Sequence, residues 1–161
     1  MSDVTIRELE YIDLSNGFIE TLCRLSPTTT KNIVQSMDII NKLRQTETTT
    51  VLVAQKLDRE IIGTATLVLM PKFIHNGGVV GQIEDVVVKD AWSRQGIGSA
   101  LVRRCISLAK EKKCYKVVLH CKEEIQYFYT SLGFRPHEVA LRLDLGGENE
   151  FSTGEEVREG R

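Results

Sequence analysis

The stretch Gly81-Gln82-Ile83-Glu84-Asp85-Val86-Val87-Val88, followed by Trp92-Ser93-Arg94-Gln95-Gly96-Ile97-Gly98, decides how this chain is read. Its first part is apolar and β-branched, as a buried strand requires. Its second part is a turn with two glycines. Beyond the turn, residues 99–113 carry apolar positions at helical spacing. Leu101, Val102, Cys105, Leu108 and Ala109 share one face; Arg103, Arg104, Ser107 and Lys110 share the other. A strand, a glycine turn and a helix N-terminus together make an anion site, because unpaired N–H groups and the helix dipole favour negative charge there. Gly96 and Gly98 let the backbone approach a phosphate, and Arg94 can add a charge-assisted contact. No GxxxxGK[ST] loop is present, and Leu101 breaks the dinucleotide fingerprint at its third position. Read alone, the turn either cradles a phosphate or uses its glycines for geometry only.

The flanks extend the pattern. Residues 4–9 read as a first strand. Asp13 reads as the N-cap of a helix to about Leu25, stopped by Ser26-Pro27. A second helix is predicted over 29–44, with Ile33, Val34, Met37, Ile40 and Leu43 on its apolar stripe. Residues 50–56 and 61–70 form a hairpin around Asp58-Arg59. A polar loop over 71–78 leads into the strand 79–88. Residues 116–121 are the next strand, 123–132 a short helix ending at Gly133, and 138–145 a last strand. The order β-α-α-β-β-β-α-β-α-β implies an α/β (α+β) architecture, a mixed sheet flanked by helices.

Composition narrows the function. The chain has 161 residues, 42% hydrophobic and 27% charged, which fits one domain. Lys plus Arg is 21 against 22 acids, so no nucleic-acid partner is expected. Residues 146–161 hold five of those acids and two of the bases, leaving a body over 1–145 with 19 bases against 17 acids. That tail is expected to be disordered. No apolar run reaches the ~18–20 residues of a membrane span, and the N-terminus lacks a signal-peptide pattern, so a cytoplasmic location is expected. Cys23, Cys105, Cys114 and Cys121 form no CxxC pair, and His75, His120 and His137 lie far apart. No metal site is expected. Cys114 and Cys121 read as packed thiols.

The turn resembles the phosphate-binding pattern [Q/R]xxGx[G/A] of the GNAT superfamily of acetyl-CoA-dependent N-acyltransferases, with Ser93 at its first position. Lys72-Phe73-Ile74-His75, then IEDVVV over 83–88, then Cys114-Tyr115-Lys116, Phe128-Tyr129 and Gly133-Phe134 narrow the match. In that order and spacing they resemble the glucosamine-6-phosphate N-acetyltransferase family within it. The resemblance implies acetyl transfer from acetyl-CoA to the 2-amino group of the sugar phosphate, a step toward UDP-N-acetylglucosamine. It implies that Val86, Val87 and Val88 pair with the pantetheine arm. Arg94, Gln95, Gly96, Ile97, Gly98 and Ser99 would hold the pyrophosphate. Glu84 and Asp85 would border the sugar and the amine, and Tyr129 would lie near the thioester sulfur. Lys72, Phe73, Ile74, His75, Tyr115 and Lys116 would shape the sugar-phosphate site, with Ser26, His120 and Arg142 as further substrate contacts. The resemblance also implies a homodimer with shared substrate sites. His120 replaces a frequent Asp, Ile125 replaces a common Asn, and Arg142 is offset by about two positions from the family's late Arg.

The residue types suit direct attack in a ternary complex. A backbone N–H on the Val86–Val88 edge can stabilise the developing oxyanion. Tyr129 can donate to the leaving thiolate, and Glu84 or Asp85 can take the amine proton. Adjacent residues of a regular strand face opposite sides, so only one of the two acids is expected to face the site. On spacing alone Tyr129 is core, and Lys72 and Lys116 are plain surface lysines. A same-class rival acetylates a protein or polyamine amine. A different-class rival only binds acetyl-CoA, though such a module needs neither the acid pair nor Tyr129.

Overall fold

The computed structural model describes residues 4–26, 30 and 32–145. Five strands form one sheet in the order β1 (Val4–Glu8), β2 (Thr49–Lys56), β3 (Ile61–Pro71), β4 (Val79–Val88) and β5 (Cys114–Leu119). The first four are antiparallel to their neighbours, and β5 runs parallel to β4. A parallel pair needs a crossover, and the helix α4 (Ile97–Glu111) supplies it. The expected mixed sheet with flanking helices is therefore present.

Both faces of the sheet are covered, which is why β2 is apolar at successive positions. Leu52 and Ala54 pack under α4, while Val53 packs under the opposite layer. On the α4 face, Ile97, Leu101, Val102, Cys105, Leu108 and Ala109 are buried, as the helical spacing predicts. Burial pushes the Cys105 thiol up to about 12, so it is a packing residue rather than a nucleophile. A 3₁₀ turn (Glu123–Ile125) and α5 (Gln126–Thr130) close the same face with Tyr129.

The opposite face departs from the sequence expectation. The helix predicted from Asp13 to Leu25 is two pieces, a 3₁₀ helix (Tyr11–Ser15) and α1 (Phe18–Leu22). Gly17 breaks them, with φ at +98°, and an added Cβ would meet Lys89 Nζ at 2.9 Å. Asp13 is no helix-starting cap. It is fully buried, and Arg7 donates to its two carboxylate oxygens at 2.7 and 2.6 Å. The Glu10 N–H donates to it at 2.8 Å. These bonds fasten the 3₁₀ helix to β1, and the hydrogen bonds that Arg7 donates to Asp13 raise the Arg7 pKa.

The second helix, α2 (Ile33–Thr46), begins where the Asn32 side chain accepts from the N–H groups of Val34 and Gln35. The earlier part of its predicted span includes residues outside those described. Only Ile40 of its predicted stripe is fully buried; Ile33, Val34 and Met37 are exposed. A single turn, α3 (Ile74–Gly77), occupies the predicted loop, with His75 and Asn76 in left-handed conformations. The strand predicted over 138–145 does not form. The segment joins no strand among the described residues, and Val139, Leu141, Leu143 and Leu145 are exposed at 83–94%. The tail 146–161 lies outside the described residues.

One irregularity matters more than the rest. Thr64 pairs with Val87 and Thr66 with Glu84, so Ala65 alone faces both Asp85 and Val86. This is a β-bulge, and Asp85 takes a left-handed φ of 52° at it. The β4–β5 pairing ends at Ile83 and Leu119. From Glu84 onward, β4 has β3 on one side and, among the described residues, no strand on the other.

Two stability outcomes follow from these contacts. Asp85→Ala should be less stable than Asp85→Gly by about 1–2 kcal/mol in urea unfolding, because only glycine adopts the left-handed bulge without strain. Equal midpoints would mean that the bulge does not hold that conformation. Asp13→Ala should cost about 3 kcal/mol, since it strands the Arg7 guanidinium and frees the 3₁₀ helix. A loss below about 1 kcal/mol would place the pair among weak surface bridges.

Candidate active site

The bulge corrects the expectation that only one acid faces the site. Glu84 and Asp85 both line one cavity of about 380 Å³ between the sheet and the α1–α2 layer. Thr64 and Thr66 of β3 line the same hollow, with Phe18 of α1 and Ile40 of α2. The Gln82 side-chain amide donates to Glu84 Oε1 from the same face of β4, two residues away. Burial is the main cause that pushes the Asp85 carboxyl up, and the neighbouring Glu84 charge adds to it. The two acids therefore differ in setting. Glu84 is held by an amide, while burial and the neighbouring charge favour the protonated form of Asp85. Such a pair can accept a proton from an incoming amine.

Beside the pair, the free edge of β4 carries the backbone of Val86, Val87 and Val88. A strand edge with unpaired N–H and C=O groups can hydrogen-bond an extended amide-bearing arm. The edge leads to a 3₁₀ turn (Asp90–Trp92), then Ser93, Arg94 and Gln95, then the N-terminus of α4. Arg94, Gln95 and Gly96 are exposed, with Arg94 at φ 61° and Gly96 at φ 81°. Gly96 is the N-cap and carries no side chain to occupy the first helical N–H groups. Those of Ile97, Gly98 and Ser99 precede the first helical bond, Ala100 N–H to Gly96 O at 2.9 Å. A fifteen-residue helix opening this way offers an anion several donors and the positive end of its dipole. The strand edge and the turn fit the two halves of a coenzyme A molecule, an amide-rich arm and a pyrophosphate.

Tyr129 is buried on α5, edge-on to Phe128 and Phe134 with ring centroids 4.8 and 6.1 Å away. Burial raises its pKa, and Cys121 adds to the rise. A tyrosine kept protonated near neutral pH is a proton donor rather than a base. Cys121 itself is exposed, contrary to the expectation of a packed thiol, because it lies just past the end of β5 where the sheet has opened. His120 precedes it and is also exposed.

The remaining predicted residues gather elsewhere. Lys72, Phe73, Ile74 and His75 form the turn before β4, and Tyr115 and Lys116 begin β5 beside it. The His75 and Tyr115 rings lie 4.4 Å apart. Phe73 is fully exposed. This cluster is at the start of β4, five residues from Glu84, or about 17 Å along an extended strand. Ser26 follows α1 and is half-buried. Arg142 lies on the exposed segment near the C-terminal end of the described chain, with its Nε donating to Asp144 at 2.7 Å. Sequence reasoning missed Gln82. Its i,i+2 spacing to Glu84 on a strand was the available signal.

Comparison with known proteins identifies the family of this fold. A model of the Acetyltransferase (GNAT) family matches residues 19–134. The chain is 37% identical over 143 residues to a glucosamine 6-phosphate N-acetyltransferase of Trypanosoma brucei brucei, covering 89% of this chain and 97% of that one. It is 36% identical over 147 residues to a probable glucosamine 6-phosphate N-acetyltransferase of Drosophila melanogaster, covering 88% and 67%. Among solved structures, glucosamine-6-phosphate N-acetyltransferase from Arabidopsis thaliana superposes with a TM-score of 0.85 at 28% identity, covering 89% of this chain and 99% of that one. A Trypanosoma brucei acetyltransferase superposes at 0.82 with 37% identity, covering 89% and 100%. With a family match over most of its length and relatives this similar, the chain belongs to the GNAT family of acetyltransferases.

Proposed function

We propose that the chain transfers the acetyl group of acetyl-CoA to the 2-amino group of glucosamine 6-phosphate, giving N-acetylglucosamine 6-phosphate and CoA. The observation that carries this reading is the β4 bulge. It brings two carboxylates into one cavity beside a free strand edge that leads to a helix N-terminus. The names of the relatives supply the sugar phosphate.

The steps use this chain's own groups. The α4 N-terminus with Arg94 holds the pyrophosphate, and the edge from Val86 to Val88 holds the amide arm. This fixes the thioester carbonyl against β4, where a backbone N–H donates a hydrogen bond to the developing oxyanion. Glu84 or Asp85 takes a proton from the attacking amine. Tyr129 donates a proton to the departing sulfur. Positioning both reactants can supply ~7–11 kcal/mol without a covalent enzyme intermediate. A protein or polyamine acceptor is less well supported, because half-buried Lys72 with exposed His75 and Lys116 suits an anion. A module that only binds acetyl-CoA would use neither the acid pair nor Tyr129.

The working unit is a homodimer with shared substrate sites, and two observations support it. The cluster at the start of β4 is too far from Glu84 for one hexose phosphate to touch both within a single chain. The alternating apolar row at 139–145 is exposed and unpaired in the described chain, as expected of a surface that meets a partner. The domain spans residues 1–145. The four free thiols suit a reducing, cytoplasmic compartment.

Tyr129→Phe should lower kcat about 10²-fold or more while leaving acetyl-CoA affinity unchanged, read by thiol release and calorimetry. An unchanged kcat would remove Tyr129 from the mechanism. Mixing and re-folding Lys72→Ala/Lys116→Ala chains with Tyr129→Phe chains should restore about a quarter of wild-type activity, since each mixed dimer regains one complete site. No recovery in a confirmed mixed dimer would make each site the property of one chain.

A further inference from the structure

The cavity behind the carboxylate pair is mostly apolar beyond Glu84 and Asp85. Its lining crosses the sheet from β4 through β3 to β2, away from Glu84 and Asp85. At the far side it is walled by Phe18, Leu22, Ile39, Ile40 and Leu43. Interiors seldom leave voids larger than a water molecule, whereas ligand pockets run ~300–1,000 Å³, and this hollow is about 380 Å³. Its charge is one-sided. Among the described residues, Glu84 and Asp85 are the only ionisable groups in the lining, with no Lys, Arg or His to meet a phosphate. A ligand that matches both features has a cationic amine at one end and an apolar body at the other. A hexose phosphate fits the amine end only, and must turn its phosphate out of the cavity.

We propose that the chain accepts a second class of substrate, primary amines with an apolar alkyl or aryl body. The amino group occupies the same carboxylate pair as the sugar amine, and the body enters the hollow under α1 and α2. This rests on the acetyl-transfer reading of the site and adds an acceptor class to it. The bound ammonium first gives one proton to the carboxylate pair, which releases it to solvent, and the freed nitrogen lone pair forms the new C–N bond to the thioester carbonyl while the C–S bond breaks. The second N–H proton then passes to the carboxylate pair, and the CoA sulfur takes a proton from Tyr129, which solvent restores. The products are the N-alkyl or N-arylalkyl acetamide and CoA.

The test is a chain-length series with acetyl-CoA and the full-length protein. Ethylamine, n-propylamine, n-butylamine, n-hexylamine and 2-phenylethylamine are compared with glucosamine 6-phosphate by thiol release, with the acetamide identified by mass. The expected result is a rise in kcat/KM of about fourfold per added methylene until the hollow is filled. The longer amines should also compete with glucosamine 6-phosphate. Ile39→Trp, which fills the cavity from a half-exposed position on α2, should lower 2-phenylethylamine turnover at least about tenfold. Glucosamine 6-phosphate turnover should stay within about twofold, because the sugar does not use that wall. A flat chain-length series overturns the proposal whether or not the variant folds, and so does an equal loss for both acceptors in a folded variant. Turnover of the sugar phosphate with inert amines overturns this proposal alone. Turnover of the amines with an inert sugar phosphate supports it and overturns the sugar reading. Silence of every acceptor overturns both.

Discussion

The site depends on one extra residue in β4. Ala65 faces both Asp85 and Val86, and the pairs on either side, Thr64 with Val87 and Thr66 with Glu84, keep the register from slipping. Left-handed Asp85 costs of order 1–3 kcal/mol, and such strain persists only where the surroundings enforce it. Here β3 enforces it from one side and the packed α4 layer from the other. Three properties follow from the same irregularity. Both acids enter one cavity, β4 leaves β5 after Ile83, and the opened edge runs straight into the turn before α4. A regular strand would have hidden one acid and left β4 free to continue its pairing with β5.

Where local pattern and tertiary packing agree, the sequence was legible. The α4 stripe, the β2–β3 hairpin and the glycine turn were all readable, because each obeys one period or one turn rule. The α1 region was not. Residues 13–25 have a helical pattern, but Gly17 must pass close to Lys89 and Ile61, contacts distant in sequence. Asp13 looked like a cap, since its partner Arg7 lies on a strand that no local rule connects to it. The bulge was equally hidden, because Asp85 is not the glycine that usually marks a left-handed bulge. The acids were legible as residues, whereas their shared orientation was not. Gln82 went unnoticed for the same reason, since its role appears only once the face of β4 is known.

The two sheet faces are built to different standards. The α4 side has a long helix whose apolar residues are almost all buried. The other side has the five-residue α1, the short 3₁₀ helix, and an α2 of which only Ser36 and Ile40 are buried. The first side carries the turn proposed to hold the coenzyme, where rigid placement of N–H groups matters. The second side bounds the cavity with the acids, where the proposed acceptor would enter and leave. Thin coverage and exposed apolar residues on α2 are what an accessible acceptor face requires. The same feature explains why α2 matched its predicted span better than its predicted burial.

Charge is separated along β4, and this shapes how a substrate can bind. The cavity end holds two carboxylates and no cation among the described residues. At the other end, five strand residues away, lie Lys72 and His75 on the turn before β4 and Lys116 on β5, with the His75 ring against Tyr115. A substrate with an amine and a phosphate has both charges within one small ring, so it cannot span that separation inside one chain. Placing the cations beside the acids in a single chain would satisfy the substrate, but it would also pair them with Glu84 and Asp85. A paired carboxylate has a lowered pKa and is a weaker base. Keeping the cations remote leaves Asp85 with a raised pKa, and a second copy can bring phosphate-binding groups to the substrate from outside the acid cavity. A homodimer of the proposed kind would separate proton transfer from phosphate recognition, which a single small domain could combine only by weakening its base.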